Sequence, residues 1–118
     1  MSSSVFDQPG LEVDASRLAP ELERGTVVVV DVREPYEWDA GRIPGSLHLP
    51  LGEFGARAGE LDRDATIVVA CRVGGRSAVA AQALRQAGFD AWSLRGGLLD
   101  WHDGTRPVEP ADGTVADH

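Results

Sequence analysis

One stretch of the chain holds the residue types that covalent chemistry needs: Ala70-Cys71-Arg72-Val73-Gly74-Gly75-Arg76-Ser77. Cys71 is the only cysteine. A single thiol closes no internal disulfide and builds no cysteine-based zinc cluster, which leaves packing or nucleophilic chemistry. The run before it, Thr66-Ile67-Val68-Val69-Ala70, has the continuous β-branched character of a strand buried on both faces. The run after it, Arg76 to Ala87, reads as a helix. Its apolar stripe is Val79, Ala80, Ala83, Leu84 and Ala87, and Gly88 is its stop. Cys71 therefore stands in a strand-to-helix turn. Gly74 and Gly75 permit a tight turn with several N–H groups facing one concavity, and the helix start adds unpaired amides and a positive dipole end. Such surroundings favour a thiolate, the nucleophilic form of the side chain. Arg72 and Arg76 add two cations. A lone cysteine ending a strand can be an inert core residue, but an arginine, a glycine pair and a second arginine at a helix start argue for a reactive sulfur facing anions.

The elements that must hold this turn alternate along the chain. Leu11 to Val13 reads as a short strand, and Asp14 caps a helix from Ala15 to Arg24 that Gly25 ends. Thr26 to Val32 is a second buried strand, followed by a short helix over 33–38 with Pro35 in its first turn. Ile43-Pro44-Gly45 is a turn, Ser46 to Leu49 a short strand, and Leu51 to about Leu61 a helix. Ala91 to Leu94 is a last strand and Leu98 to His102 a last helix. Strands separated by helices pair in parallel through right-handed crossovers. The expectation is a single α/β domain with a central, mostly parallel sheet of about five strands and helices on both faces. Ligands in such sheets bind beyond the carboxyl ends of the strands, where Cys71 falls. The domain is expected over residues 9–107, with flexible tails at 1–8 and 108–118.

Composition narrows the chemistry. The 118-residue chain carries a formal charge of −8, which argues against nucleic acid, because phosphate contacts supply most of the non-specific binding energy. Its 11 basic residues are all arginine, so a Schiff-base lysine and a phosphate-loop lysine are both excluded. Residues 63–102 hold five arginines against three acids, a basic segment in an acidic protein that suits a local anion site. His48, His102 and His118 have no ligand spacing, so neither a metal nor a cofactor is expected. No apolar run approaches the ~20 residues of a membrane helix, and the N-terminus carries no secretory signal, so a cytoplasmic protein is expected.

Four stretches, in order, resemble the rhodanese (sulfurtransferase) family, and in particular its single-domain members. They are Asp31-Val32-Arg33-Glu34-Pro35-Tyr36-Glu37-Trp38, Gly41-Arg42-Ile43-Pro44-Gly45-Ser46, Cys71-Arg72-Val73-Gly74-Gly75-Arg76-Ser77, and Leu94-Arg95-Gly96-Gly97 with Trp101 beyond. The resemblance implies a parallel sheet flanked by helices and a cysteine that takes a sulfane sulfur from a donor such as thiosulfate. It implies that the sulfur passes to cyanide, a thiol or a protein acceptor. Cys71 matches the nucleophile; Arg72, Val73, Gly74, Gly75 and Arg76 match the loop that holds the persulfide and the anionic donor. Two positions depart from the family's usual pattern. Arg42 stands where histidine is usual, and Val73 where a hydroxyl residue is frequent. The protein is expected to act as a monomer.

Two alternatives share the fold, a cysteine phosphatase or arsenate reductase and a non-catalytic binding module. Cysteine phosphatases place five residues between cysteine and arginine, whereas four separate Cys71 from Arg76. Thiol-coupled arsenate reduction needs a resolving cysteine that this chain lacks, and binding modules usually lose the cysteine it keeps. Asp31 and Arg33 are expected to form a structural pair with Glu37 or a backbone turn, the alternative being substrate ligands. Trp38, Trp92 and Trp101 are read as packing residues, and His48 as a satisfied strand-end residue.

Overall fold

Valine and isoleucine crowd two short runs of the chain, and both become inner strands of one sheet. The computed structural model describes residues 5–117. Its elements are β1 (Glu12–Val13), α1 (Ala15–Arg24), β2 (Val27–Asp31), α2 (Pro35–Ala40), β3 (Leu47–His48), α3 (Leu51–Arg57), β4 (Thr66–Ala70), α4 (Gly75–Gln86), β5 (Asp90–Leu94) and α5 (Gly97–Asp103). The five strands pair in the order β1-β5-β4-β2-β3, and every pairing is parallel. β4 lies at the centre with all its residues buried, which its unbroken β-branched run requires.

The period of two along β4 divides the core. Val68 and Ala70 face a layer with Leu18 of α1 and Leu98 and Trp101 of α5. Ile67, Val69 and Cys71 face the opposite layer with Phe54 of α3 and Ala80, Ala81 and Leu84 of α4. The chain leaves β2 towards β3 with Ile43 in the first layer, and leaves β4 towards β5 with α4 in the second. The two connections part over opposite faces of the sheet. The switch point of the sheet therefore lies between β2 and β4, at whose carboxyl ends sheets of this kind bind ligands.

Local signals act where the sequence places them. The Asp14 carboxylate accepts the Arg17 N–H at 2.9 Å, and Gly25 closes α1 at φ 73°, a left-handed conformation that favours glycine. That N–H and the Ser16 hydroxyl hold the Asp14 carboxyl below its ordinary value, against a small opposing effect of burial.

One expectation needs correction. The buried stripe of α4 is Ser77, Ala80, Ala81 and Leu84, while Val79 is 67% exposed and Ala83 and Ala87 face solvent. Alanine is apolar on every face of this helix, so periodicity alone leaves its phase open; Ser77, a polar residue outside that stripe, marks the buried face. Several described residues of the segments read as tails pack on the domain. Phe6 is 1% exposed and meets Trp92 edge-to-face at 5.5 Å, while Val108 and Val115 pack against the same layer. Arg42 and Glu109 exchange backbone hydrogen bonds of 2.9 and 2.8 Å, and the Thr114 N–H reaches the Ala40 carbonyl at 2.8 Å. A few apolar anchors suffice to dock segments whose composition reads as linker. Residues 1–4 and 118 of those segments lie outside the described residues. Among the described residues no helix is long and apolar enough to cross a membrane.

Candidate active site

Cys71 is the first residue beyond β4 and is 1% exposed. The chain turns back over its sulfur within three residues. The Gly74 N–H donates to Sγ at 3.0 Å and the Ser77 N–H at 3.4 Å. Gly74 makes this possible at φ 111°, where an L side chain is strained, whereas Gly75 is simply the first residue of α4. Only one of the two glycines is demanded by conformation. The first amides of a helix have no acceptor within it, and in α4 no side chain caps them; the sulfur takes one of them. Sγ also lies 3.5 Å from the Ser77 hydroxyl.

A second glycine turn holds the first in place. Gly96, at φ 74°, precedes α5, whose Leu98 and Leu99 N–H groups donate to the Cys71 and Arg72 carbonyls at 2.9 and 3.1 Å. Gly97 has φ 56°, and a Cβ there would overlap those two carbonyl oxygens. The Leu94-Arg95-Gly96-Gly97 stretch is thus a brace for the cysteine loop, a role its sequence did not disclose.

The two arginines of the loop differ. Arg76 is committed: its Nη1 and Nη2 donate to Glu37 Oε1 and Oε2 at 2.8 and 3.0 Å. Glu37 is wholly buried on α2 and also accepts the Glu34 N–H at 2.9 Å. This bidentate pair joins α2 to α4. Glu37, by hydrogen bond and then by charge, raises the Arg76 guanidinium above its ordinary value against the opposing effect of burial. Arg72 is open. Its Nη2 reaches the exposed Asp117 carboxylate at 3.3 Å, and its buried Nε has no hydrogen-bond partner among the described residues. Val73 is the exposed crest of the loop.

Asp31 and Arg33 form the structural pair expected of them, and the Arg33 N–H also donates to Asp31 Oδ1 at 3.0 Å. Arg33 Nη2 meets Asp31 Oδ2 at 2.7 Å and the Gly41 carbonyl at 2.7 Å, with both side chains buried. His48 hydrogen-bonds the Arg33 carbonyl at 2.8 Å and stacks on Trp38, over which Arg42 also lies at 4.9 Å. Trp92 and Trp101 are core residues. Among the described residues no cluster of histidine, cysteine and carboxylate side chains could hold a metal ion. A surface groove of about 510 Å³ runs between Leu22, Pro44, Trp101 and Pro107, and none of residues 71–77 lines it. Sequence reasoning missed three contributors: Glu37 as the partner of Arg76, Gly97 as the brace, and Ser93, whose hydroxyl lies 2.7 Å from that of Ser77. A serine inside the buried run Ala91-Trp92-Ser93-Leu94 was the available signal, since a buried hydroxyl requires a partner.

Comparison with known proteins agrees with this fold. The Rhodanese-like domain family matches residues 14–103. The chain is 35% identical over 104 residues to a sulfurtransferase of Allochromatium vinosum, covering 86% of this chain and 97% of that protein. It is 34% identical over 111 residues to the HTH-type transcriptional regulator Rv0324 of Mycobacterium tuberculosis, covering 92% of this chain but only 49% of the relative. The crystal structure of a rhodanese-related protein from Thermoplasma volcanium superposes with a TM-score of 0.80 at 32% identity, covering 84% of this chain and 97% of that one.

Proposed function

The chain belongs to the rhodanese-like domain family, and on that premise we propose that it is a sulfurtransferase working through a persulfide on Cys71. The Cys71 thiolate attacks the outer sulfur of an anionic donor such as thiosulfate. The new S–S bond forms as the donor's own S–S bond breaks, and sulfite leaves with the electron pair. A thiophilic acceptor, whether cyanide, a thiol or a protein thiolate, then attacks the outer sulfur, and Cys71 is released as thiolate. Charges balance in both steps, so no metal or redox partner is called for.

The observation that carries this reading is the convergence of the Gly74 and Ser77 amides on Sγ at 3.0 and 3.4 Å. Donors aimed at a sulfur stabilise the negative charge it bears at the start and end of the cycle. The remaining amides of the first turn, on Gly75 and Arg76, suit the outer persulfide sulfur. A buried N–H without an acceptor is costly, and the Nε of Arg72 is such a group. An anionic donor beside the loop supplies the missing acceptor. Arg76 acts through shape: tied to Glu37, it fixes where α4 begins. Loop length separates this reading from a phosphatase, because only four residues separate Cys71 from Arg76. A ring of amides that tight suits one terminal sulfur better than three phosphoryl oxygens.

The test is intact mass after incubation with thiosulfate. One sulfur should be added to the wild type and removed by cyanide with release of thiocyanate, while Cys71→Ser gains nothing. Sulfur transfer surviving in Cys71→Ser would overturn the assignment, as would Cys71-dependent turnover of an aryl phosphate without sulfur loading.

A further inference from the structure

Beneath the sulfur lies a pair of hydroxyls that the steps above leave unused. Ser77 Oγ is 3.5 Å from Cys71 Sγ, 3.1 Å from the Gly74 carbonyl oxygen and 2.7 Å from Ser93 Oγ. Ser77 and Ser93 are both 0% exposed, one on α4 and one on β5. Each hydroxyl has one proton to donate and two lone pairs. Ser77 therefore cannot serve its three neighbours in the same way in every state of the sulfur.

The proton inventory decides the arrangement. When Cys71 is a thiol, its S–H can donate to Ser77 Oγ, and the Ser77 proton goes to the Gly74 carbonyl. Ser93 is then the donor to Ser77. When Cys71 is a thiolate, the sulfur can only accept. Turning the Ser77 proton from Gly74 to Sγ gives the sulfur a third donor beside the two amides. The Gly74 carbonyl is not stranded by this turn, because it also accepts the Ala78 N–H at 3.1 Å. Ser93 keeps donating to Ser77 Oγ in both states, which polarises the Ser77 hydroxyl towards the sulfur.

We propose that Ser77 is a catalytic hydrogen-bond donor that switches from the Gly74 carbonyl to Cys71 Sγ as the sulfur takes up charge, and that Ser93 is a positioning residue that holds it in that role. The proposal rests on the persulfide reading of Cys71. Its consequence is an asymmetry between the two half-reactions. During release, the Sγ–S bond breaks, its electron pair stays on Sγ, and a donor aimed there lowers the barrier. During loading, the same electron pair leaves Sγ for the new bond, so a donor there gives no such help.

Single-turnover measurements on Ser77→Ala, Ser93→Ala and the double variant test this. Each protein is loaded with thiosulfate under alkaline conditions, the persulfide is counted by intact mass, and thiocyanate formation is followed on mixing with cyanide. Ser77→Ala should load fully, at a rate within about threefold of wild type, and release sulfur about tenfold more slowly, the effect of losing one charge-assisted hydrogen bond. Ser93→Ala should slow release by a smaller factor, and the double variant should match Ser77→Ala, because Ser93 acts only through Ser77. Equal slowing of both half-reactions would mark a structural role and overturn the proposal. So would wild-type release in Ser77→Ala, or effects that multiply in the double variant. If Ser77→Ala does not fold, Ser93→Ala decides: full loading with slowed release supports the switch, and wild-type release ends it. Failure of the wild type to take up sulfur is a different result, which removes the persulfide reading itself.

Discussion

Two turns of this molecule share one plan, a buried strand, two glycines and a helix, yet they direct their backbone donors at different targets. In the turn from β4 to α4, the Gly74 and Ser77 amides face the Cys71 sulfur. In the turn from β5 to α5, the Leu98 and Leu99 amides face the carbonyls of Cys71 and Arg72. The first turn presents donors to a reacting atom; the second presents donors to the first turn. Both helices start at a glycine with no side-chain cap. α1 differs, since Asp14 fills that place with its own carboxylate. A helix start closed by its own cap is finished, whereas one without a cap is free to take an acceptor from elsewhere. The same local grammar therefore yields a site, a brace or a simple stop, depending on which acceptor arrives.

The comparison is broken most severely at the brace. Gly97→Ala combines a left-handed residue with overlap of two carbonyl oxygens, so unfolding free energy should fall by about 3 kcal/mol or more in urea titrations. Sulfur loading should fall with it, although residue 97 touches no substrate in the proposed mechanism. A Gly97→Ala protein of wild-type stability and activity would show that the second turn does not hold the first. Next comes the pair that joins α2 to α4. Glu37→Gln removes the buried carboxylate and leaves Arg76 without its bidentate partner, a loss of about 3 kcal/mol. The raised Arg76 value means that its share of this stabilisation is present below the ordinary guanidinium value and lost only as pH rises through the still higher folded one. Stability at pH 6 and pH 9 should therefore differ little on account of Arg76.

Smaller effects sharpen the contrast. Asp14→Ala removes a side-chain cap and should cost about 1 kcal/mol at neutral pH with sulfur transfer unchanged. Because the Asp14 carboxyl lies below its ordinary value of 3.8, its contribution is present above that value and lost as pH falls through the lowered one. The gap between wild type and Asp14→Ala should close in acid. Gly75→Ala should be close to neutral in stability and activity, since residue 75 is helical, has no left-handed φ and faces open space. A large loss there would mean that both glycines of the turn, and not Gly74 alone, are required by the backbone.

Much of this could be read before any coordinates. Continuous β-branched runs at Thr26–Val32 and Thr66–Ala70 specify buried strands because only a doubly covered sheet keeps such faces from water. Their alternation with helices specifies parallel pairing, and the strand–cysteine–glycine–helix order places the thiol at the carboxyl end of the sheet. Less was legible in α4, where alanine on every side leaves the phase undetermined and Ser77 marks the buried face. Phe6 and Val115 belong to segments whose composition reads as tail, and a single apolar anchor in such a segment leaves no periodic trace.

What the sequence determined by itself is therefore the order of elements, the lone nucleophile and the flexibility of backbone that its turn requires, because these depend on residue type and on neighbours a few positions away. What only the tertiary structure decided is which charges are already taken. Arg72 and Arg76 look alike along the chain, yet Arg76 is tied to Glu37, 39 residues before it, while a buried nitrogen of Arg72 stays unpartnered among the described residues. Ser77 and Ser93 meet across 16 residues because α4 packs back on β5. Pairings of this kind are set by crossovers that bring distant strand ends together, and a linear pattern of residue types carries no measure of that distance.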